Sequence, residues 1–250
     1  MKVLCTNDDG LGARGLALSS EICTALGHRV WAVAPDREQS AASHALTLMK
    51  PLRATARGVD RWEVDGTPTD CVLLAFGALL PERPDIVVSG VNHGPNLGED
   101  VLYSGTVAAA MEGLSLGVPA VALSLASRDQ DLLPTWRAPL EKLLGSILAA
   151  MPFPRDMLLS VNLPAVRGEQ VKGVRVTSLG TRIYEESLQR MRDPWGRDIF
   201  WIGGGRVNWT GGAESDFQCI ADGYVSVTPL HLDVTHHSSL DAVRHWKLEI

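Results

Sequence analysis

The chain has 250 residues, 45% of them apolar and 21% charged, with a formal net charge of −6. This length holds one full hydrophobic core and at most a smaller appended unit, and the composition is ordinary for a soluble globular protein. The 23 lysines and arginines are scattered, which argues against a polymeric nucleic acid as partner, and no run of 18 apolar residues reads as a membrane span.

The opening residues Met-Lys-Val-Leu enter a strand pattern at once and lack the regions of a secretion signal, so a cytoplasmic protein is expected. Cys5, Cys23, Cys71 and Cys219 are widely separated, with no Cys-x-x-Cys spacing, and read as buried free thiols. Residues 2–6 form a short apolar run suited to a buried strand. Leu18, Ile22 and Leu26 then recur at helical spacing until Gly27. Residues 29–34 are a second strand, closed by Pro35-Asp36. Residues 46–54 and 61–64 are expected to pair as strands, ending at Gly66-Thr67-Pro68, and Thr69 or Asp70 is placed to cap a helix reaching Leu80. Residues 85–89 are a buried strand, followed by a loop over 90–103 and a small-residue helix stopped at Gly117. Residues 118–125 are a strand, 132–151 helical and 157–161 a strand again. Apolar strands alternating with helices predict a mostly parallel sheet covered on both faces.

Beyond about residue 180 the character changes. Tyr184, Trp195, Phe200, Trp201, Trp209 and Phe217 stand among Gly203-Gly204-Gly205 and Gly211-Gly212. This reads as a β-hairpin excursion whose aromatic surface is covered by a partner, or folds back as a lid on its own subunit. Residues 224–229 resume a strand, and a short helix is expected near residues 240–246. The organisation is therefore a core over 1–180, an excursion over 181–223, and a returning strand and helix over 224–250.

The first loop, Thr6-Asn7-Asp8-Asp9-Gly10-Leu11-Gly12-Ala13-Arg14-Gly15, supports two readings. Gly10, Gly12 and Gly15 have the spacing of a dinucleotide-binding turn, and Asp36 stands where a ribose-binding carboxylate belongs. Asp8 and Asp9, however, put two negative charges where the pyrophosphate would dock. At ~4 Å and an effective dielectric near ~20, each repulsion is about 4 kcal/mol. A cation between them turns the loop into a metal and phosphate site.

Two further strand-end loops bring oxygen ligands to the same end of such a sheet. One, over 35–47, offers Ser40, Ser43 and His44. The other, over 89–106, offers Asn92, Asn96 and Ser104-Gly105-Thr106 at a helix start, where N–H groups and the helix dipole suit a phosphate. Taken singly, each has an ordinary reading as a cap or a turn residue. His44 and His93 are lone histidines without metal-ligand spacing.

The segments TNDDG at 6–10, APDREQSAASHALT at 34–47, VDGTPTDCV at 64–72 and SGVNHGPNLGEDVLYSGTVAAAMEG at 89–113 together resemble the SurE family, the stationary-phase survival proteins. The resemblance implies a Rossmann-like three-layer α/β/α fold with a C-terminal hairpin exchanged between subunits of a homodimer or homotetramer. It implies a metal-dependent phosphomonoesterase acting on nucleoside 5′- and 3′-monophosphates. Carried onto this chain, one Mg²⁺ or Mn²⁺ per subunit is held by Asp8, Asp9, Ser40 and Asn92. Asn96, Ser104, Gly105 and Thr106 then face the substrate phosphate, and either aspartate can orient or deprotonate the attacking water. One departure is Ala41, where the family commonly has glycine; a positive φ there would strain it. The competing readings are an NAD(P)-binding oxidoreductase using Gly10, Gly12, Gly15 and Asp36, and a nucleotide sensor without turnover.

Overall fold

In the computed structural model, which describes residues 1–129, 131–154, 156–185, 188–202 and 206–248, strands and helices alternate through the first two thirds of the chain. The strands are β1 (Lys2–Thr6), β2 (Arg29–Pro35), β3 (Ala54–Gly58), β4 (Arg61–Val64), β5 (Ile86–His93), β6 (Ala120–Leu125), β7 (Leu158–Leu163) and β8 (Val174–Val176). They continue with β9 (Thr181–Glu185), β10 (Leu188–Arg192), β11 (Asp198–Ile202), β12 (Arg206–Thr210) and β13 (Val225–Leu230). The helices are α1 (Arg14–Ala25), α2 (Pro68–Leu74), α3 (Gly105–Ser115), α4 (Arg137–Ala149), α5 (Asp216–Ala221) and α6 (Leu240–Arg244).

One sheet runs in the order β3-β4-β2-β1-β5-β6-β7-β13-β8. Its centre is parallel, from β4 through β2, β1, β5 and β6 to β7. Only β3 on β4 and β13 on β7 run antiparallel. Because side chains alternate across a strand, β1 feeds two cores. Val3 and Cys5 join Leu16, Ile22, Leu140 and Leu144 beneath α1 and α4, while Leu4 joins Trp31, Val72, Val107 and Ala110 beneath α2 and α3. Each such leucine or isoleucine, fully removed from water, contributes about 1.5–3 kcal/mol. This is the expected Rossmann-like three-layer architecture. The chain winds outward from β1 through β2 and β4, then crosses to the other side of β1 at β5. The carboxyl ends of β1 and β5 therefore flank a topological switch point, where ligands of open α/β sheets bind.

Three local expectations need correction. No strand forms over residues 46–53; Leu48 and Met49 point into solvent, Met49 at 98% exposure, and β3 begins only at Ala54. The apolar pattern has no facing layer there, and the Thr47 N–H is held instead by Asp70 Oδ1 at 3.0 Å. The helix after Gly66 is capped by Thr67, not by Thr69 or Asp70. Asp70 is its third residue and completes a reciprocal capping box, with Pro68 in the first turn. Finally, β5 runs on to His93, so Asn92 belongs to a strand end rather than to a loop.

Outside the main sheet, β9 pairs with β12 and β10 with β11, both antiparallel. Gly203, Gly204 and Gly205 lie outside the described residues. Trp195, Phe200, Trp201 and Ile202 are exposed on this arm, a large apolar surface for a single chain to leave in water. From the arm the chain returns through α5 to β13, between β7 and β8 in the main sheet.

Candidate functional site

Asp8 follows β1 at the switch point and is buried, with 6% of its surface exposed. Its Oδ1 accepts a hydrogen bond from the Thr106 hydroxyl of α3. Burial pushes its carboxyl up to about 6, opposed by the Thr106 bond and reinforced by the neighbouring charge of Asp9. Asp9 is half-buried and also raised, again chiefly by burial, against the pull of His93. Asp9 Oδ2 is buried and has no hydrogen-bond partner among the described residues; the same holds for Asn7 Oδ1. Asn7 otherwise shapes the turn, donating from Nδ2 to the Gly10 carbonyl at 3.0 Å.

The approach of α3 to this pair depends on Gly105. A β-carbon there would lie 2.8 Å from Asp8 Cβ, closer than real β-carbons approach, and a tight 3.1 Å from Pro68 Cγ. Ser104 caps the helix, its Oγ accepting from the Val107 N–H at 3.1 Å. The N-terminus of α3 thus brings its partial positive charge against the buried Asp8 carboxyl. Thr106 is 0% exposed, so its hydroxyl serves Asp8 and does not reach the cleft that sequence spacing suggested for it.

The second loop is laid against the first by the Gln39 N–H, which donates to the Asp8 carbonyl at 2.8 Å. Ser40 follows, exposed, its hydroxyl on Glu38 Oε1 at 2.6 Å. Ala41 and Ser43 both have left-handed φ, 57° and 55°, so the strain anticipated at Ala41 is present. The loop is then stitched to its surroundings. Ser43 bonds the Leu102 and Tyr103 carbonyls, His44 Nε2 meets Glu112 Oε2 at 2.8 Å, and the Thr67 hydroxyl donates to the Ala45 carbonyl.

Asn92, at the end of β5, donates from Nδ2 to the Gly94 carbonyl at 3.0 Å, a bond that does not engage its Oδ1. Asn96 is held more firmly. Its N–H meets Asn162 Oδ1 at 2.9 Å, its carbonyl accepts from Asn162 Nδ2, and its own Nδ2 donates to Ser124 Oγ. Asn162 and Ser124 were not anticipated; the signal was Ser124 in the otherwise apolar β6, and Asn162 beside Ser160 in the mostly apolar β7.

Among the glycines of the first loop, Gly15 serves packing. A β-carbon on Gly15 would lie 1.8 Å from the Val91 carbonyl oxygen, so α1 can lie on β5 only with glycine there. Gly12 meets nothing within 4 Å. Asp36 lines a polar cleft of about 500 Å³ with Arg37, Arg53 and Arg57, and lies 3.6 Å from the Arg37 guanidinium.

Among the described residues no three His, Cys, Asp or Glu side chains converge on a metal-binding centre. A cation at Asp8 and Asp9 would therefore take its remaining oxygens from hydroxyl, amide and water, as Mg²⁺ and similar hard ions do. Two carboxyls raised by burial, with one buried oxygen unengaged, fit that requirement.

Fold and site define a Rossmann-like α/β protein with an acidic pair at the sheet's switch point, set against a helix N-terminus. Residues 3–186 match the family model described as survival protein SurE. The chain is 57% identical over 249 residues to the 5′-nucleotidase SurE of Gemmatimonas aurantiaca, covering 98% of both chains. It is 46% identical over 248 residues to that of Geotalea uraniireducens, covering 99% of this chain and 100% of the relative. The crystal structure of the SurE protein from Aquifex aeolicus superposes with a TM-score of 0.86 at 37% identity, over 98% of this chain and 99% of that one. The chain belongs to the SurE family.

Proposed function

We propose that this chain is a 5′-nucleotidase, a divalent-cation-dependent phosphomonoesterase that hydrolyses nucleoside 5′-monophosphates, and 3′-monophosphates, to nucleoside and phosphate. The observation that carries the reading is the burial of Asp8 directly against Gly105 and Thr106, which puts the carboxylate pair at the end of α3 where a phosphate would dock. The names of the relatives support the substrate class.

Asp8, Asp9, Ser40 and Asn92 hold the cation, Mg²⁺ or Mn²⁺. Bound there, it supplies Lewis acidity toward a phosphoryl oxygen and toward the attacking water. Asp9 Oδ2, unengaged by protein, is the atom placed to orient that water or take its proton. Ser104 keeps its hydroxyl proton for a phosphoryl oxygen, since its bond to Val107 uses only a lone pair. The first turn of α3 stabilises the charge that grows on the non-bridging oxygens. Asn96 is a phosphate neighbour held in place by Asn162, and Thr106 sets the orientation of Asp8. We assign residues 1–180 to the core, 181–223 to the aromatic arm that joins copies in a homodimer or homotetramer, and 224–250 to the returning strand and helix. The protein acts in the cytoplasm; no helix among the described residues is long and apolar enough to cross a membrane.

Phosphate release from nucleoside 5′- and 3′-monophosphates, with Mn²⁺, with Mg²⁺ and with EDTA, tests the reading. Release with metal that disappears both in EDTA and in Asp8→Asn is expected. No release from any of these substrates with either metal overturns it.

A further inference from the structure

The site's third loop, residues 94–104, is held from behind by a group that belongs to none of the three strand-end loops. Asp216, the first residue of α5, has 0% of its surface exposed. Its Oδ2 accepts from the Gly98 N–H at 2.8 Å, and its Oδ1 accepts from the N–H groups of Gly180 and Phe217, each also at 2.8 Å. One carboxylate thus joins the site loop, the root of the aromatic arm and the helix that follows the arm.

The three segments are in close contact. Gly98 has φ +53°, and a β-carbon there would lie 2.6 Å from the Gly180 carbonyl oxygen and 2.8 Å from the Phe217 ring. Phe217 in turn stacks on Trp209 of β12, with centroids 5.6 Å apart and planes 10° from parallel. Beside it, the Arg182 N–H donates to Glu99 Oε2 at 2.7 Å and the Arg182 guanidinium pairs with Asp100. Asp100 then accepts the Ser104 N–H at its carbonyl, so the clamp continues to the cap of α3.

Resting on the reading of the site as a nucleotidase, we propose that Asp216 is a positioning residue for phosphate binding. It makes the placement of Asn96 and Ser104 conditional on the arm's root being seated against residues 98–100. The aromatic arm is therefore coupled directly to the substrate side of the site, through residues 98–104, and reaches Asp8 and Ser40 only at one remove, through Thr106 and through the bonds of Ser43 to Leu102 and Tyr103.

Asp216→Asn tests this, because asparagine retains one acceptor oxygen and presents an NH₂ group to an N–H that the carboxylate had accepted. With a nucleoside 5′-monophosphate and saturating Mn²⁺, KM is expected to rise about tenfold with kcat within threefold of wild type. Mn²⁺ affinity, measured directly on the protein without substrate, is expected to stay within twofold. The Gly98 amide is expected to exchange its hydrogen at least tenfold faster. A purely structural role would weaken metal and substrate together. An unchanged KM in a folded variant, or a loss of Mn²⁺ affinity as large as the rise in KM, overturns the proposal. If Asp216→Asn does not fold, Trp209→Leu, which removes only the stack on Phe217, decides: a KM rise of threefold or more supports the coupling and an unchanged KM overturns it. Failure of the nucleotidase reading is seen separately, as absence of phosphate release by wild type. In that case the Gly98 exchange rate in Trp209→Leu decides alone: acceleration supports the coupling, and an unchanged rate overturns it.

Discussion

Replacing Asp8 by asparagine is expected to stabilise the metal-free protein while abolishing its activity. An exposed aspartate loses its proton near pH 3.8, but burial holds Asp8 protonated up to about 6 in the fold. The folded state therefore binds the extra proton in that interval, and stability falls as pH rises through it. At ~1.4 kcal/mol per pH unit the cost is about 3 kcal/mol, complete above about pH 6 and absent below about pH 4. Asparagine keeps an Oδ1 to accept the Thr106 hydroxyl but carries no charge. In EDTA at pH 7.5, Asp8→Asn should unfold about 6–12 °C above wild type, given ~2–4 °C per kcal/mol for a chain of this size. At pH 4 the two should coincide. Adding Mn²⁺ should raise the melting temperature of wild type and leave the variant unmoved. A variant less stable than wild type in EDTA at pH 7.5 would refute the reasoning, because it would mean that the fold already satisfies the Asp8 charge without a cation.

Gly105→Ala forces a methyl to within 3 Å of Asp8 Cβ, so at least a hundredfold loss of phosphate release is expected, with about 1–3 kcal/mol of stability lost to overpacking; activity near wild type would show that α3 can withdraw from the pair. Ala41→Gly relieves a left-handed alanine and should add about 0.5–1 kcal/mol in urea unfolding, the conformational gain being partly offset by a freer unfolded chain. Thr106→Val removes the hydroxyl that holds Asp8 ionised. The Asp8 carboxyl should then titrate about one pH unit higher by carbon NMR in the metal-free protein, and a downward move would contradict the assigned direction.

Much of this arrangement was legible from local chemistry. Residues 2–6, 29–35 and 120–125 form strands because short apolar runs suit a sheet covered on both faces, and Gly27 and Gly117 end their helices where the spacing says. The strain at Ala41 was legible only through the resemblance, which implies glycine there, the residue that takes a left-handed φ without cost. Residues 46–53 misled because an apolar run makes a strand only if a layer faces it, and Asp70, distant in sequence, holds the backbone instead.

By itself the sequence determined that a parallel sheet would carry Asp8 and Asp9 at a strand end and Asn92, Asn96 and Ser104 at another. Period, capping residues and turn glycines act within a few positions and so can be read along the chain. Only the tertiary structure decided that Thr106 serves Asp8, that Asn162 holds Asn96 and that Asp216 clamps Gly98, across separations of 98, 66 and 118 residues. It alone also decided the charge of Asp8, because a carboxyl's proton affinity depends on how much water the surrounding layers remove from it, and no spacing along a chain records that.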